Sequence, residues 1–246
     1  MIFVIVLIIT AVRIKSMDSH RISGRILAEN IAGPGMLRLV EQSMQARARK
    51  TSVTEIAVKE RKYPQAALTF DDGPDIRYTP LLLDGLKERN VRVSFFLLGE
   101  KVEQYPELVE RMQKEGHLVG NHTYHHVQLN KLNETKAREE ILKTNNLIYE
   151  TTGVYPLYLR PPFGAWKKNL ELCVEMLPVF WTIDTLDWKV QNTEKIVRTV
   201  QEQIEDGAII LMHDEYDTSV EAALQVVDEL KNQGYELVTV DQLILP

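Results

Sequence analysis

Cysteine is almost absent from this chain of 246 residues, with Cys173 standing alone. No intrachain disulfide and no cysteine metal cluster can therefore form. Cys173 lies in the apolar stretch LELCVEML, where a small buried hydrophobe is expected rather than a nucleophile. No period of repeat-protein length is present, which excludes a solenoid. The apolar run MIFVIVLIITAV at residues 1–12 falls short of the roughly 20 residues that span a bilayer. Positive charge is scarce after residue 62: residues 63–246 carry eighteen Lys/Arg against thirty Asp/Glu. Such a region repels phosphates, so a nucleic-acid partner is excluded.

What is present is ordinary for a globular protein with a substantial core, at 44% hydrophobic and 26% charged residues. The charge is uneven. Residues 13–62 carry eleven Lys/Arg and five Asp/Glu, so the composition changes sign near Tyr63-Pro64. Three regions follow. Residues 1–12 are expected to be an export signal or membrane anchor with a truncated start, although the usual positive segment before the apolar core is missing. Arg13, Lys15, Arg21 and Arg25 directly after the run oppose that orientation, since positive charge prefers the cytoplasmic side. Residues 13–62 read as a basic linker or stalk, broken at Gly33-Pro34-Gly35. A short amphipathic helix is sketched over 36–44 and an added strand over 53–58. Residues 63–246 form the main domain.

From Gln65 onward strands and helices alternate, which predicts a mainly parallel sheet wrapped by helices. Strands are expected over 66–70, 91–98, 117–121, 158–160, 179–184, 208–212 and 237–240. Thr79 is expected to cap a helix with Pro80 at its first turn and Leu81, Leu82 and Leu86 inward. Asn133 and Asn192 are expected to start helices, and Thr218 with Glu221 to form a capping box. Gly116, Gly153, Gly207 and Gly234 are expected stops.

The polar residues gather where strands end. Asp71 and Asp72 follow Leu68-Thr69-Phe70 and precede Gly73-Pro74; His122, Arg160, Asp184, Asp187 and His213 occupy corresponding positions. In a parallel barrel those ends share one rim, where active sites are built. His122 and His126, four apart, would share one face of a helical turn, with His125 off that face. With Asp72 they supply two imidazoles and a carboxylate, a set that leaves positions open for water and substrate. Zinc is favoured by that set; cobalt, nickel and manganese also fit. Arg160 could form a surface salt bridge of little worth or, at the rim, pair with Asp71 and keep it ionised. A rim carboxylate such as Asp187 on one nitrogen of His213 would let that ring hold and deliver a proton. Trp188 offers a flat apolar face of the kind that binds sugars.

TFDDGP, HTYHH, RPPFG, DTLDW and LMH, in this order, resemble the five motifs of the polysaccharide deacetylase family, the NodB-homology carbohydrate esterases. The resemblance covers about three quarters of the chain, residues 63–246. It implies a distorted (β/α) barrel with outer helices, a divalent metal, and hydrolysis of acetyl groups from N-acetylated sugars. It implies Asp71 as catalytic base; Asp72, His122 and His126 as metal ligands; and His213 as general acid. Arg160 would orient Asp71, and Asp187 would tune His213. Trp188 and Leu211 would line the acetyl pocket beside Phe163 and Gly164, with the Phe163 backbone N–H facing the oxyanion. Many members have Tyr where this chain has Phe163, so a hydroxyl role is absent there. The expected substrate is N-acetylglucosamine in a wall glycan, peptidoglycan above all, at the outer face of the membrane or in the wall. Chitooligosaccharide, N-acetylmuramic acid residues and O-acetylated xylan stay open, as do a catalytically silent glycan-binding relative and a two-carboxylate glycosidase.

Overall fold

The computed structural model describes residues 62–166 and 176–244. Eight parallel strands make its sheet. β1 (Gln65–Asp71), β2 (Ser94–Leu97), β3 (Leu118–Asn121), β4 (Tyr158–Leu159) and β5 (Leu177–Pro178) run outward from the centre in one direction. β7 (Ala208–His213) and β6 (Ile183–Asp184) lie on the other side of β1, and β8 (Glu236–Leu237) pairs with the start of β1. Around them lie α1 (Tyr78–Glu88), α2 (Gly99–Gln104), α3 (Pro106–Lys114), α4 (Glu134–Thr152), α5 (Asp187–Val190), α6 (Thr193–Gln203), α7 (Asp217–Asn232) and α8 (Val240–Ile244). No helix among the described residues is long and apolar enough to cross a membrane.

Connectivity forces the sheet to curl. β5 and β6 stand at opposite ends of the seven-strand path, yet only residues 179–182 join them. A flat sheet would separate these edges by roughly 29 Å at about 4.8 Å per strand. A five-step extended connection reaches at most about 18 Å. The linker also extends the ladder at both ends: the Val179 amide donates to the Leu159 carbonyl and the Thr182 amide to the Ile209 carbonyl. The result is a curled, incomplete barrel with outer helices, the distorted (β/α) barrel that the family resemblance implies.

The strands are apolar on both faces, as parallel strands covered on both sides must be. Ala66, Leu68 and Phe70 of β1 join Ile210 and Met212 of β7 and the inner faces of α1, α6 and α7 in the main core. Each of the larger side chains among them contributes about 1.5–3 kcal/mol by leaving water. The alternate residues face the barrel interior, where Ala67, Phe96, Tyr158, Val179 and Val240 form a second cluster. Thr69 and Asp71 share that interior parity.

Several boundaries differ from expectation. The second strand is shorter than 91–98 because the Val91 amide closes α1 on Leu86 and the Leu98 amide donates to the Gly73 carbonyl. The strand expected over 179–184 shrinks to β6, since 179–182 makes the edge-to-edge crossing. The last strand is β8; Val240 starts α8 instead. α1 is capped by Asp75, whose Oδ1 accepts from the Arg77 and Tyr78 amides, rather than by Thr79, and Leu81 is exposed. α7 already includes Thr218, and Glu221 accepts from the Thr193 hydroxyl instead of closing a capping box. Residues 1–61, with the apolar run, the basic segment and the features sketched over 36–44 and 53–58, lie outside the described residues, as does Cys173.

Candidate active site

The site starts from the end of β1. Asp71 is in register with His213 of β7 and Phe96 of β2, and its side chain is buried on the interior face. Strand alternation would send the next side chain to the opposite face. Asp72 avoids this by adopting φ 70°, a left-handed conformation that Asp tolerates better than most residues. Both carboxylates thereby reach one imidazole: His122 Nε2 lies 3.7 Å from Asp71 Oδ2 and 3.3 Å from Asp72 Oδ1. Gly73 completes the turn under the Asp214 carboxylate, with which any Cβ at position 73 would collide.

His122 follows β3 directly. Its Nδ1 is 2.6 Å from the Arg160 carbonyl oxygen, which can only accept, so Nδ1 donates there and Nε2 is the ring atom turned toward Asp72. His126 Nε2 stands 3.4 Å from the same Asp72 Oδ1. The centres of the two rings are 5.0 Å apart, but the segment between them is not the expected helical turn. Thr123 and His126 have φ 66° and 55°. One local and two tertiary hydrogen bonds hold that loop: the Thr123 amide donates to Asn121 Oδ1, and the Thr123 and Tyr124 carbonyls accept from the Gly99 and Glu100 amides.

Asp72, His122 and His126 thus place three ligand atoms within 4.8 Å of one another. Asp72 Oδ1 is buried and receives no hydrogen bond among the described residues. Burial works against its ionisation, yet His122, and then His126 and His213, outweigh this and hold the carboxyl well below the usual carboxylate range. Burial pushes His126 down, favouring the neutral ring that a metal needs. A converging ionised carboxylate with an orphaned oxygen and two imidazoles fits a divalent cation.

Arg160 is wholly buried behind Asp71. Its Nη1 donates to Asp71 Oδ1 and to Thr69 Oγ1, both at 2.7 Å, and its guanidinium carbon lies 4.2 Å from the centre of the Phe96 ring. Thr69 in turn donates to the Ile210 carbonyl at 2.7 Å. On the other side, His213 Nδ1 is 2.8 Å from Asp187 Oδ1, and Asp187 Oδ2 accepts from the His213 amide and the Ser219 hydroxyl. Burial alone would lower His213, but Asp187 outweighs it and the ring is raised to about 9. Its Nε2 faces the cleft, 3.8 Å from Asp72 Oδ2. At neutral pH His213 is therefore protonated beside an ionised Asp72.

Phe163 sits in a turn at φ 59°, followed by Gly164 at φ 63°, with its ring 4.5 Å from His126 and largely exposed. Trp188, next to Asp187, leaves 48% of its surface in water, whereas Leu211 is buried on β7. Asp184, expected at the same rim, bonds to the Leu186 amide and shapes the turn before α5. His125 pairs with Glu140 rather than with the ligand cluster.

Three residues here escape a reading of the sequence. Thr69 holds Arg160, and its position two before Asp71 on one strand face is a signal that was present. Ser219 supports Asp187 from a helix remote in sequence. Asp214 is wholly buried, raised to about 7 by burial, and takes a hydrogen bond from Thr79; nothing in its local sequence separates it from a surface carboxylate.

The model of the polysaccharide deacetylase family matches residues 59–180. The chain is 42% identical over 185 residues to the peptidoglycan-N-acetylglucosamine deacetylase PgdA of Listeria monocytogenes, covering 75% of this chain and 40% of that one. It is 40% identical over 186 residues to a peptidoglycan-N-acetylglucosamine deacetylase of Bacillus cereus, covering 73% and 68%. It is 43% identical over 177 residues to the peptidoglycan-N-acetylmuramic acid deacetylase PdaC of Bacillus subtilis, covering 72% and 38%. The solved structure of PdaC superposes with a TM-score of 0.72 at 42% identity, covering 74% of this chain and 91% of that one. The chain thus spans about two fifths of the length of the Listeria and B. subtilis relatives.

Proposed function

The chain belongs to the polysaccharide deacetylase family, and from that premise we propose that it is a metal-dependent hydrolase that removes acetyl groups from N-acetylglucosamine residues of peptidoglycan. The observation that carries this reading is the convergence of Asp72, His122 and His126 on one point, with Asp71 on one flank and His213 on the other. Asp72, His122 and His126 would hold a divalent cation, zinc by the character of its ligands, with cobalt, nickel or manganese as alternatives. When bound, it supplies Lewis-acid polarisation of the acetyl carbonyl and acidification of water.

The residues divide the proton work. Asp71, oriented by Arg160, takes a proton from the attacking water as its oxygen bonds to the acetyl carbon. The Phe163 backbone N–H faces the developing oxyanion. His213, kept protonated by Asp187, donates from Nε2 to the amide nitrogen as the C–N bond breaks. Acetate and a glucosamine unit leave. Trp188 and Leu211 form the apolar wall for the acetyl group and the sugar face, beside Phe163 and Gly164.

The identity to a muramic acid deacetylase favours a second reading, with N-acetylmuramic acid as the deacetylated sugar. Either glycan implies action outside the cell, at the membrane face or in the wall. The test is acetate release from peptidoglycan, chitooligosaccharide and acetylxylan, with and without chelator, followed by sugar analysis of the product. Chelator-sensitive acetate and new glucosamine are expected; new muramic amine would support the second reading. New reducing ends without acetate would overturn both in favour of a glycosidase.

A further inference from the structure

We infer that Glu140 of α4 is a positioning residue for the metal-ligand loop, an inference that rests on the metal-centre reading above. The two imidazoles of that centre are held in different ways. His122 is fixed on its own account: its amide donates to the Leu97 carbonyl at 2.9 Å and its Nδ1 to the Arg160 carbonyl. His126 lies further from the core, with 30% of its side chain exposed and a left-handed backbone. Its place opposite His122 is set by the course of residues 123–125.

That course is clamped from two sides. On one side, the Thr123 and Tyr124 carbonyls accept from the Gly99 and Glu100 amides. On the other, Glu140 takes the outward amides. Its Oε2 accepts from the Tyr124 N–H at 3.1 Å and the His125 N–H at 2.9 Å, while Oε1 lies 2.8 Å from His125 Nδ1. One carboxylate thus gathers three groups from two consecutive residues that precede a ligand. Without it, both amides lose their partner, and the loop can satisfy them only by turning toward water. Glu140 touches neither substrate nor ligand atoms; it acts through the loop. Outer-sphere partners of metal ligands typically contribute about 10–100-fold to metal affinity.

The test is zinc titration by calorimetry on the full-length chain after metal removal, for wild type, Glu140→Ala, Glu140→Met and Glu140→Gln, with melting temperatures of the metal-free proteins alongside. Gln keeps an oxygen acceptor for the two amides; Ala and Met do not, and both are good helix formers. Ala and Met variants should lose about tenfold in zinc affinity, with Gln near wild type and metal-free melting unchanged. Met provides the comparison should the Ala variant fail to fold. A wild type that takes up no zinc would sink the metal-centre reading itself. A wild type that binds, beside Ala and Met variants that bind equally well, would overturn only the role of Glu140. So would a Gln variant as weak as Ala, or an affinity loss that merely follows lower metal-free melting.

Discussion

At the scale of single residues, Asp71 and Asp72 are chemically identical neighbours, and their proposed roles as base and metal ligand rest only on backbone and partners. Asp71→Asn retains an acceptor for Arg160 and should keep its metal while turnover falls by about 10²–10⁴-fold, the usual contribution of a positioned acid–base group. Asp72→Asn should instead weaken metal uptake, with activity partly recovered at high metal concentration. Metal content and acetate release on both variants decide the matter; metal loss in Asp71→Asn with retention in Asp72→Asn would reverse the roles. Arg160 yields a separate expectation. Replacing it with Met removes one half of a wholly buried pair, and such breaks typically cost about 3–5 kcal/mol. Denaturant melts should show that loss; a change below about 1 kcal/mol would mean that Asp71 finds another partner. The sequence made these residues legible as types at strand ends. It did not disclose φ at Asp72 or at His126, because left-handed backbone there is imposed by hydrogen bonds from other segments. That is also why a helical pair was expected and a clamped loop was found.

At the scale of elements, caps and stops read well where the signal is local. Asn133 caps α4, its Oδ1 accepting from the Lys136 amide at 2.9 Å, and Gly153 ends the helix at φ 73°. Asn133→Ala should destabilise the fold by about 1 kcal/mol. A thermal melt would register this as a drop of a few degrees, with zinc affinity unchanged because Glu140 lies two turns away. Where two local signals compete, tertiary contacts decide. Thr79 has the right neighbours for a cap, but its hydroxyl is engaged by Asp214 and by the Asp75 amide, which leaves the cap to Asp75. The 179–184 stretch has strand composition throughout, yet most of it bridges two sheet edges, and nothing within six residues specifies that task.

At the scale of the whole molecule, the fold class was legible because alternation of strand and helix needs only local periodicity. The distorted barrel came only from the resemblance that the five motifs carry, because closure depends on the pairing order of all the strands, which local periodicity does not specify. One global property follows from a residue far from the site. His117 is buried with Nδ1 accepting from the Val93 amide, and burial pushes its pKa from 6.5 down to about 4. The fold therefore refuses a proton that the unfolded chain accepts, and the His117 contribution to stability falls as pH drops from 6.5 toward about 4, while Asp214, raised to about 7, acts in the opposite sense. Between pH 7 and pH 5 the His117 contribution should fall by about 2 kcal/mol. Urea titrations at both values should show wild type losing about 2 kcal/mol relative to His117→Asn on going from pH 7 to pH 5; an identical pH dependence in the two proteins would remove His117 from the account. A last consequence concerns time. β1 is bonded to β7 over its length and to β8 and β2 along its other edge, with Asp71 at its end. Its amide protons should exchange with deuterium only when the entire domain opens, whereas those of Tyr124 and His125, resting on one side chain, should exchange by local excursions. The two halves of one centre would then keep different clocks: the carboxylates as enduring as the fold, and His126 renewed on the timescale of a loop.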